Sequence, residues 1–236
     1  MKREILLLVV WTALCFGQVS KAATKKAYSS DPARFEESIK RFEFADDEQP
    51  PPMGAIVCIG SSSIRGWHDS IQSDLAPLTV IPRGFGGSNM NDALHYADRI
   101  VLPYRPRAIV LYEGDNDVAQ GIRPQTIADT FRLFVDKIHE ELPECRIYFL
   151  SIKPSIKRWQ LWLKMKKANS LIAAECSKDK RLTYVDVASA MLDERGNPRV
   201  EIFQEDDLHM TRSGYTLWQN TLKPILSETE LQYESR

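Results

Sequence analysis

The sequence predicts an α/β protein: a three-layer α/β/α sandwich around a central, mostly parallel sheet of five strands. Three observations carry this. Short apolar runs recur along the chain, each fit for a strand buried on both faces. Amphipathic helical patterns fall between them, the alternation that builds a parallel sheet covered on both sides. Polar, glycine-bearing segments follow the runs, where ligands meet such sheets.

The elements follow in order. Lys2 and Arg3 precede ILLLVVWTALCFG, and QVSKAA follows with Ser20 and Ala22 as small residues at a plausible cut. This reads as a secretory signal peptide over 1–22, cleaved after Ala22. Its apolar stretch is too short to span a bilayer comfortably. Leu14 before Cys15 argues against a lipid-anchored cysteine. An N-terminal helix and proline-rich connector take up 23–52. Asp31 and Pro32 start the helix, Phe35, Ile39 and Phe42 give its apolar spacing, and EQPPPMG ends it.

The main domain is expected over 53–236. AIVCIG, LTVIP, RAIVLY, RIYFLSI and LTYVDV are its strand runs. One helix starts near Pro124 with Ile127, Phe131, Phe134 and Ile138 on one face. Another spans about Trp159 to Cys176. The last begins near Ser213 and carries Leu217, Leu222 and Ile225.

Composition narrows the class. The 236 residues, 43% hydrophobic and 27% charged, suit one domain with a sizeable core. A net charge of -1 points to neither nucleic acid nor an anionic surface. Beyond the leader lie Cys58, Cys145 and Cys176, an odd count that means at least one free thiol or an intermolecular bridge. Cys58 and Cys145 read as buried packing, and a Cys145–Cys176 bridge stays open.

Four segments carry the chemistry: GSSSIRGW after the first strand, RGFGGSNMND after the second, EGDNDVAQG after the third, and EDDLHMTRSGY before the last helix. Together they hold a hydroxyl nucleophile, an imidazole base, an orienting carboxylate and oxyanion donors. His209 is the natural base, because Asp206 lies three residues earlier and a short turn can fold it onto the imidazole. His68, beside the serines, is the only rival. DND at 115–117 lacks the remaining ligands of a calcium loop. GFGG lacks the Lys-Ser or Lys-Thr of a phosphate loop. No G-x-S-x-G elbow occurs.

The four segments resemble the sequence blocks of the SGNH hydrolases, the superfamily of GDSL-like lipases, acylhydrolases and esterases. GSSSIRGW resembles the G-D-S block, with Gly60 and Ser62 at the glycine and nucleophile positions. GFGGSN puts Gly87 at the oxyanion glycine. GDND resembles G-x-N-D and puts Asn116 at the oxyanion asparagine. DDLH resembles D-x-x-H, with Asp206 and His209. Ser61 stands where the family usually has Asp. The resemblance implies a flavodoxin-like SGNH fold and a serine esterase with a Ser62–His209–Asp206 triad. It further implies an oxyanion hole of the Ser62 and Gly87 N–H groups and the Asn116 amide. No metal or organic cofactor is expected.

Substrate clues are thinner. Arg65, Trp67, Arg158 and Trp159 are candidates to line the substrate pocket. The basic run KPSIKRWQLWLKMKKAN reads as a solvated face in its C-terminal half. No long insertion offers a lid, which suits a small acyl group such as acetyl on a carbohydrate. The expected partner is a small-molecule or glycan ester, with no nucleic acid and no stable membrane insertion. An exported location, periplasmic or secreted, fits the leader. Lysophospholipase and thioesterase are the alternatives within the superfamily. A non-catalytic module binding a glycan or acyl ligand is the alternative from another class.

Overall fold

The computed structural model describes Tyr28 and residues 31–234. The expected leader, its cut after Ala22 and Cys15 lie outside the described residues. Five strands, β1 (Ile56–Gly60), β2 (Val80–Gly84), β3 (Ala108–Tyr112), β4 (Arg146–Leu150) and β5 (Leu182–Val185), form one sheet in the order β2-β1-β3-β4-β5. Every neighbouring pair is parallel. Four of the strands fall within their apolar runs; β2 begins in LTVIP and continues through Arg83 and Gly84.

Because strand side chains alternate, this sheet has two cores. Val57, Ile59, Ile109, Leu111, Ile147 and Phe149 face one side. Ile56, Cys58, Ala108, Val110, Tyr148 and Leu150 face the other. The first side is covered by α1 (Glu36–Glu48), α4 (Met90–Ile100), α6 (Pro124–Glu141) and α7 (Trp162–Cys176), through Ile39, Tyr96, Phe131 and Met165. The second is covered by α3 (His68–Leu75) and α8 (Arg212–Glu230), through Ile71, Trp218 and Leu222. Two short helices, α2 (Ser62–Arg65) and α5 (Asp115–Ala119), belong to the loops after β1 and β3.

Helix α6 matches its sequence pattern: Pro124 opens it, and Ile127, Phe131, Phe134 and Ile138 are all buried. In α8 only Leu222 of the three expected residues is fully buried; Tyr215, Trp218 and Leu226 complete the stripe. Ahead of α1, the Asp31 carboxylate accepts the Ala33 N–H at 2.9 Å, and Pro32 opens a 3₁₀ turn. Arg99 on α4 clamps Glu36 and Glu43 of α1, and Arg83 on β2 pairs with Asp46. Residues 31–48 are thus laid onto the α/β body.

The Cys145–Cys176 bridge is not formed. Cys58, Cys145 and Cys176 are all free and buried. Burial pushes each thiol up to about 12, so all three are inert as nucleophiles at neutral pH. Among the described residues, no helix is long and apolar enough to cross a membrane.

The end of α8 is locked to the sheet. Glu230, with no exposed surface, accepts from Arg146 Nε at 2.5 Å and Tyr148 Oη at 2.8 Å, and pairs with Arg107 at 3.3 Å. Removing one partner of a buried pair strands the other charges. Glu230→Ala should therefore lower unfolding free energy by about 3 kcal/mol. Urea titration measures this. The variant should keep normal turnover while folded, since Glu230 meets the sheet where β3 and β4 begin, opposite the loops described next.

Candidate active site

In this strand order the crossovers from β1 run to β2 on one side, and β3 lies on the other. Such a reversal leaves a crevice at the carboxyl ends of β1 and β3, where ligands bind in open α/β sheets. Gly60 and Tyr112 are paired there, and the Ser61 N–H reaches the Tyr112 carbonyl at 3.3 Å. Position 60 has to be glycine: a Cβ would lie 2.2 Å from that carbonyl oxygen.

Beyond Gly60 the chain turns into α2. Ser61 is its extended N-terminal cap residue and Ser62 its first helical residue. The Ser61 carbonyl accepts from the N–H groups of Ile64 and Arg65, both at 3.0 Å, which fixes the turn presenting Ser62. The Ser61 hydroxyl makes no capping bond to the helix.

Ser62 meets a loop 147 residues away in sequence. His209 Nε2 lies 3.0 Å from Ser62 Oγ. His209 Nδ1 contacts Asp206 Oδ2 in a short hydrogen bond. The local chain brings Asp206 back: Asp207 takes a left-handed φ of 60°, and the Gln204 N–H closes the turn on the His209 carbonyl at 2.8 Å. Asp206 Oδ1 also accepts the backbone N–H groups of Leu208 at 3.1 Å and His209 at 2.9 Å. The His209 N–H bond, with the imidazole and the Leu208 N–H, outweighs desolvation and holds the Asp206 carboxyl well below the usual range. Asp206 therefore stays ionised, the state that orients and stabilises an imidazolium.

The loop after β2 supplies Gly87, at φ 93° and open to solvent. Among the described residues neither the Gly87 nor the Ser62 N–H has a protein partner. The loop after β3 supplies Asn116. Its Nδ2 donates to the Ser88 carbonyl at 2.8 Å, and its Oδ1 accepts from Arg158 Nη1 at 3.0 Å. One of its two amide hydrogens is left for another acceptor. Gly114 before it has φ 113°, and a Cβ there would sit 2.4 Å from Ile152 Cδ1.

The expected pocket residues divide. Arg65 is exposed, with its guanidinium so close over Gly86 that a Cβ on that glycine would lie 2.9 Å from Arg65 Cζ. Trp67 is a correction: it has no exposed surface, stacks on Tyr215, meets Trp218 edge-on and donates Nε1 to Asp74 at 2.7 Å. The turn after α2 points it into the core under α8. Arg158 is committed inward to Asn116 and Asp115. Trp159 is half-buried and stacks on Trp162, against the α7 side of the core. Lys153, which begins the basic run, is 1% exposed.

Some neighbours of the site were not singled out from sequence. Tyr28 donates its hydroxyl to Asp117 Oδ1 at 2.7 Å, and Asp117 also accepts the Met90 N–H. Phe35 packs edge-on to Phe85, and its ring tip would lie 3.9 Å from a Cβ on Gly87. The segment before β1 thus touches both loops that carry the proposed oxyanion donors. Its signal in the sequence was no more than two aromatic residues beside a helix start.

His68 is spent on structure. Its Nε2 accepts the Gly84 N–H at 2.9 Å. Burial, with the nearby Arg83 charge, lowers its pKa to about 4. The neutral ring is favoured in the fold, so stability is unaffected above the unfolded value near 6.5. It falls as the pH drops from there through about 4. The loss should approach roughly 3 kcal/mol. His68→Gln keeps an acceptor and cannot protonate. Urea titrations at neutral pH and near pH 4 should show a smaller loss in the variant than in the parent.

At the carboxyl edge of this parallel sheet a serine, a histidine and a carboxylate thus lie in hydrogen-bonded sequence, beside two unused backbone donors and an amide, the set of groups that acyl transfer requires. Residues 54–217 match the GDSL-like Lipase/Acylhydrolase family, and the chain belongs to that family of ester-bond hydrolases. No curated protein sequence matches it. Solved structures share the fold. A Streptococcus pneumonia protein described as a platelet activating factor superposes with TM-score 0.72 at 19% identity, covering 82% of this chain and 93% of that one. A GDSL-like lipase from Bacteroides thetaiotaomicron gives 0.69 at 18% identity, with 80% and 97% covered. A catalytic mutant of an acetylxylan esterase from Geobacillus stearothermophilus gives 0.58 at 13% identity, with 79% and 99% covered.

Proposed function

We propose that this hydrolase is a serine esterase that removes a small acyl group, such as acetyl from a carbohydrate, through an acyl-enzyme on Ser62. The observation that carries the reading is the continuous Ser62–His209–Asp206 hydrogen-bonded array. His209 Nε2 takes the Ser62 proton as Oγ attacks the ester carbonyl. Asp206 holds the Nδ1–H tautomer and stabilises the imidazolium. The Ser62 and Gly87 N–H groups and the free Asn116 amide hydrogen receive the oxyanion. His209 then protonates the departing alkoxide, and the acyl group stays on Ser62. Water, deprotonated by His209, attacks that acyl-enzyme; the acyl–Oγ bond breaks, His209 returns the proton to Ser62 Oγ, and the carboxylic acid is released.

Small acyl groups are favoured by the openness of the site. The His209 side chain is 37% exposed and Asp206 38%, so among the described residues no apolar tunnel encloses them. Arg65 is the candidate to touch the alcohol part of the substrate, a reading supported by its exposure beside Gly86. Export of the mature chain rests on the basic and apolar leader before Ala22. A fluorophosphonate probe tests the nucleophile directly: the Ser62 peptide should carry the label in the parent, and a label on any other serine would refute the assignment.

A further inference from the structure

Three charged side chains behind the site take no part in those steps. Lys153, after β4, is almost wholly buried, and its Nζ donates to the Leu208 carbonyl at 2.7 Å. The same Nζ lies 3.8 Å from Asp115 Oδ2 and 5.5 Å from the centre of the Phe203 ring. Asp115, 6% exposed, faces Arg158 Nη1 at 2.8 Å. That Nη1 also donates to Asn116 Oδ1 at 3.0 Å. A charged chain therefore runs from the carbonyl just before His209 to the side chain of Asn116.

Each link has a physical consequence. An ammonium buried to this degree is costly, and an apolar side chain of the same volume would pack there without that cost. Here it ties the turn bearing His209 to the loop bearing Asn116. Arg158 and the Ser88 carbonyl together fix the orientation of the amide. A guanidinium only donates, so the Asn116 oxygen must face it and the nitrogen must face away. One N–H then meets the Ser88 carbonyl, and the other is left for the oxyanion. Without Arg158 only the Ser88 carbonyl holds the amide, and a flip that presents oxygen to a developing negative charge becomes less costly.

We propose that Lys153, Asp115 and Arg158 are positioning residues that hold Asn116 with its nitrogen toward the oxyanion and keep the His209 turn in register with it. The proposal rests on Asn116 being an oxyanion donor. It assigns Arg158 an indirect role, in place of contact with substrate.

A double-mutant cycle tests it, with kcat and KM measured separately on p-nitrophenyl acetate. Arg158→Met should lower kcat about tenfold, the scale of coupling within one hydrogen-bonded network, and leave KM unchanged. Added to Asn116→Ala, it should cost nothing further. Lys153→Met alone leaves the buried Asp115 carboxylate with Arg158 as its one paired cation among the described residues and endangers folding, so it is made together with Asp115→Asn. That pair should also lose kcat and keep KM. A parental kcat in Arg158→Met, an effect confined to KM, or an equal loss in both Asn116 backgrounds overturns the proposal. A crippled Asn116→Ala beside an unimpaired Arg158→Met overturns positioning alone. A fully active Asn116→Ala overturns the oxyanion reading and this proposal with it.

Discussion

Ser62→Ala and His209→Ala should each reduce p-nitrophenyl acetate hydrolysis by about 10⁴-fold or more, with little change in stability. The magnitude follows from the interdependence of the pair. Without Oγ there is no acyl-enzyme, and without the imidazole Oγ keeps its proton at neutral pH. The double variant should therefore be no slower than either single one, because the two groups act as a unit. Asp206→Asn should cost less, roughly 10²- to 10⁴-fold. Its carboxylate is 38% exposed, and water can solvate part of the imidazolium in its place. Both Ala variants leave the core untouched: His209 is exposed in a turn, and Ser62 is held by backbone bonds from its neighbours. Near-parental turnover by a folded Ser62→Ala would refute the nucleophile. Equal losses for Asp206→Asn and His209→Ala would mean that solvent contributes nothing to the imidazolium.

Much of this arrangement is legible in the chain. The five strands are short apolar runs, and a strand buried on both faces has no other way to be written. The glycines at 60 and 114 mark close approach that leaves no room for a side chain, and Gly87 marks a positive φ. Helix α4 is weakly marked in the sequence, because its buried face includes the small residues Ala93 and Ala97 beside Tyr96 and Ile100 and its start depends on the Asn89–Asp92 capping box. What escapes the sequence is what depends on distant partners. Trp67 follows the nucleophile closely enough to suggest a pocket wall, yet Asp74, Tyr215 and Trp218 claim it for the core. Lys153 opens a run of cations, and nothing in that run marks it for burial; its ammonium is taken by the turn at 206–209, more than fifty residues on. Tyr28 finds Asp117 across 89 residues. Periodicity reports which side of an element is covered and says nothing of which distant polar group covers it.

Asn116→Ala should lower kcat by about 10²- to 10³-fold with KM little changed, since an oxyanion donor acts only once the carbonyl oxygen carries charge. The parent amide is already bound on two sides, by Ser88 and Arg158, so its free hydrogen is preorganised rather than recruited. Truncation leaves the Ser88 carbonyl without its donor, at a cost of about 1–2 kcal/mol in stability, which urea titration separates from the kinetic loss. Asn116→Asp sharpens the test. The side chain keeps its shape, and one carboxylate oxygen still accepts from Arg158. The other now faces both the Ser88 carbonyl and the forming oxyanion, so repulsion replaces a hydrogen bond. Asn116→Asp should therefore be slower than Asn116→Ala at neutral pH, although it is the more conservative change in volume. It should recover toward the Ala rate as the pH falls and the carboxyl protonates, once both rates are normalised for the fraction of His209 in its basic form. If Asn116→Asp matches the parent, the side chain at 116 spaces the loops and does not stabilise charge. If it matches Asn116→Ala at every pH, the second carboxylate oxygen points away from the reaction, and the amide geometry built by Ser88 and Arg158 is not the one that catalysis uses.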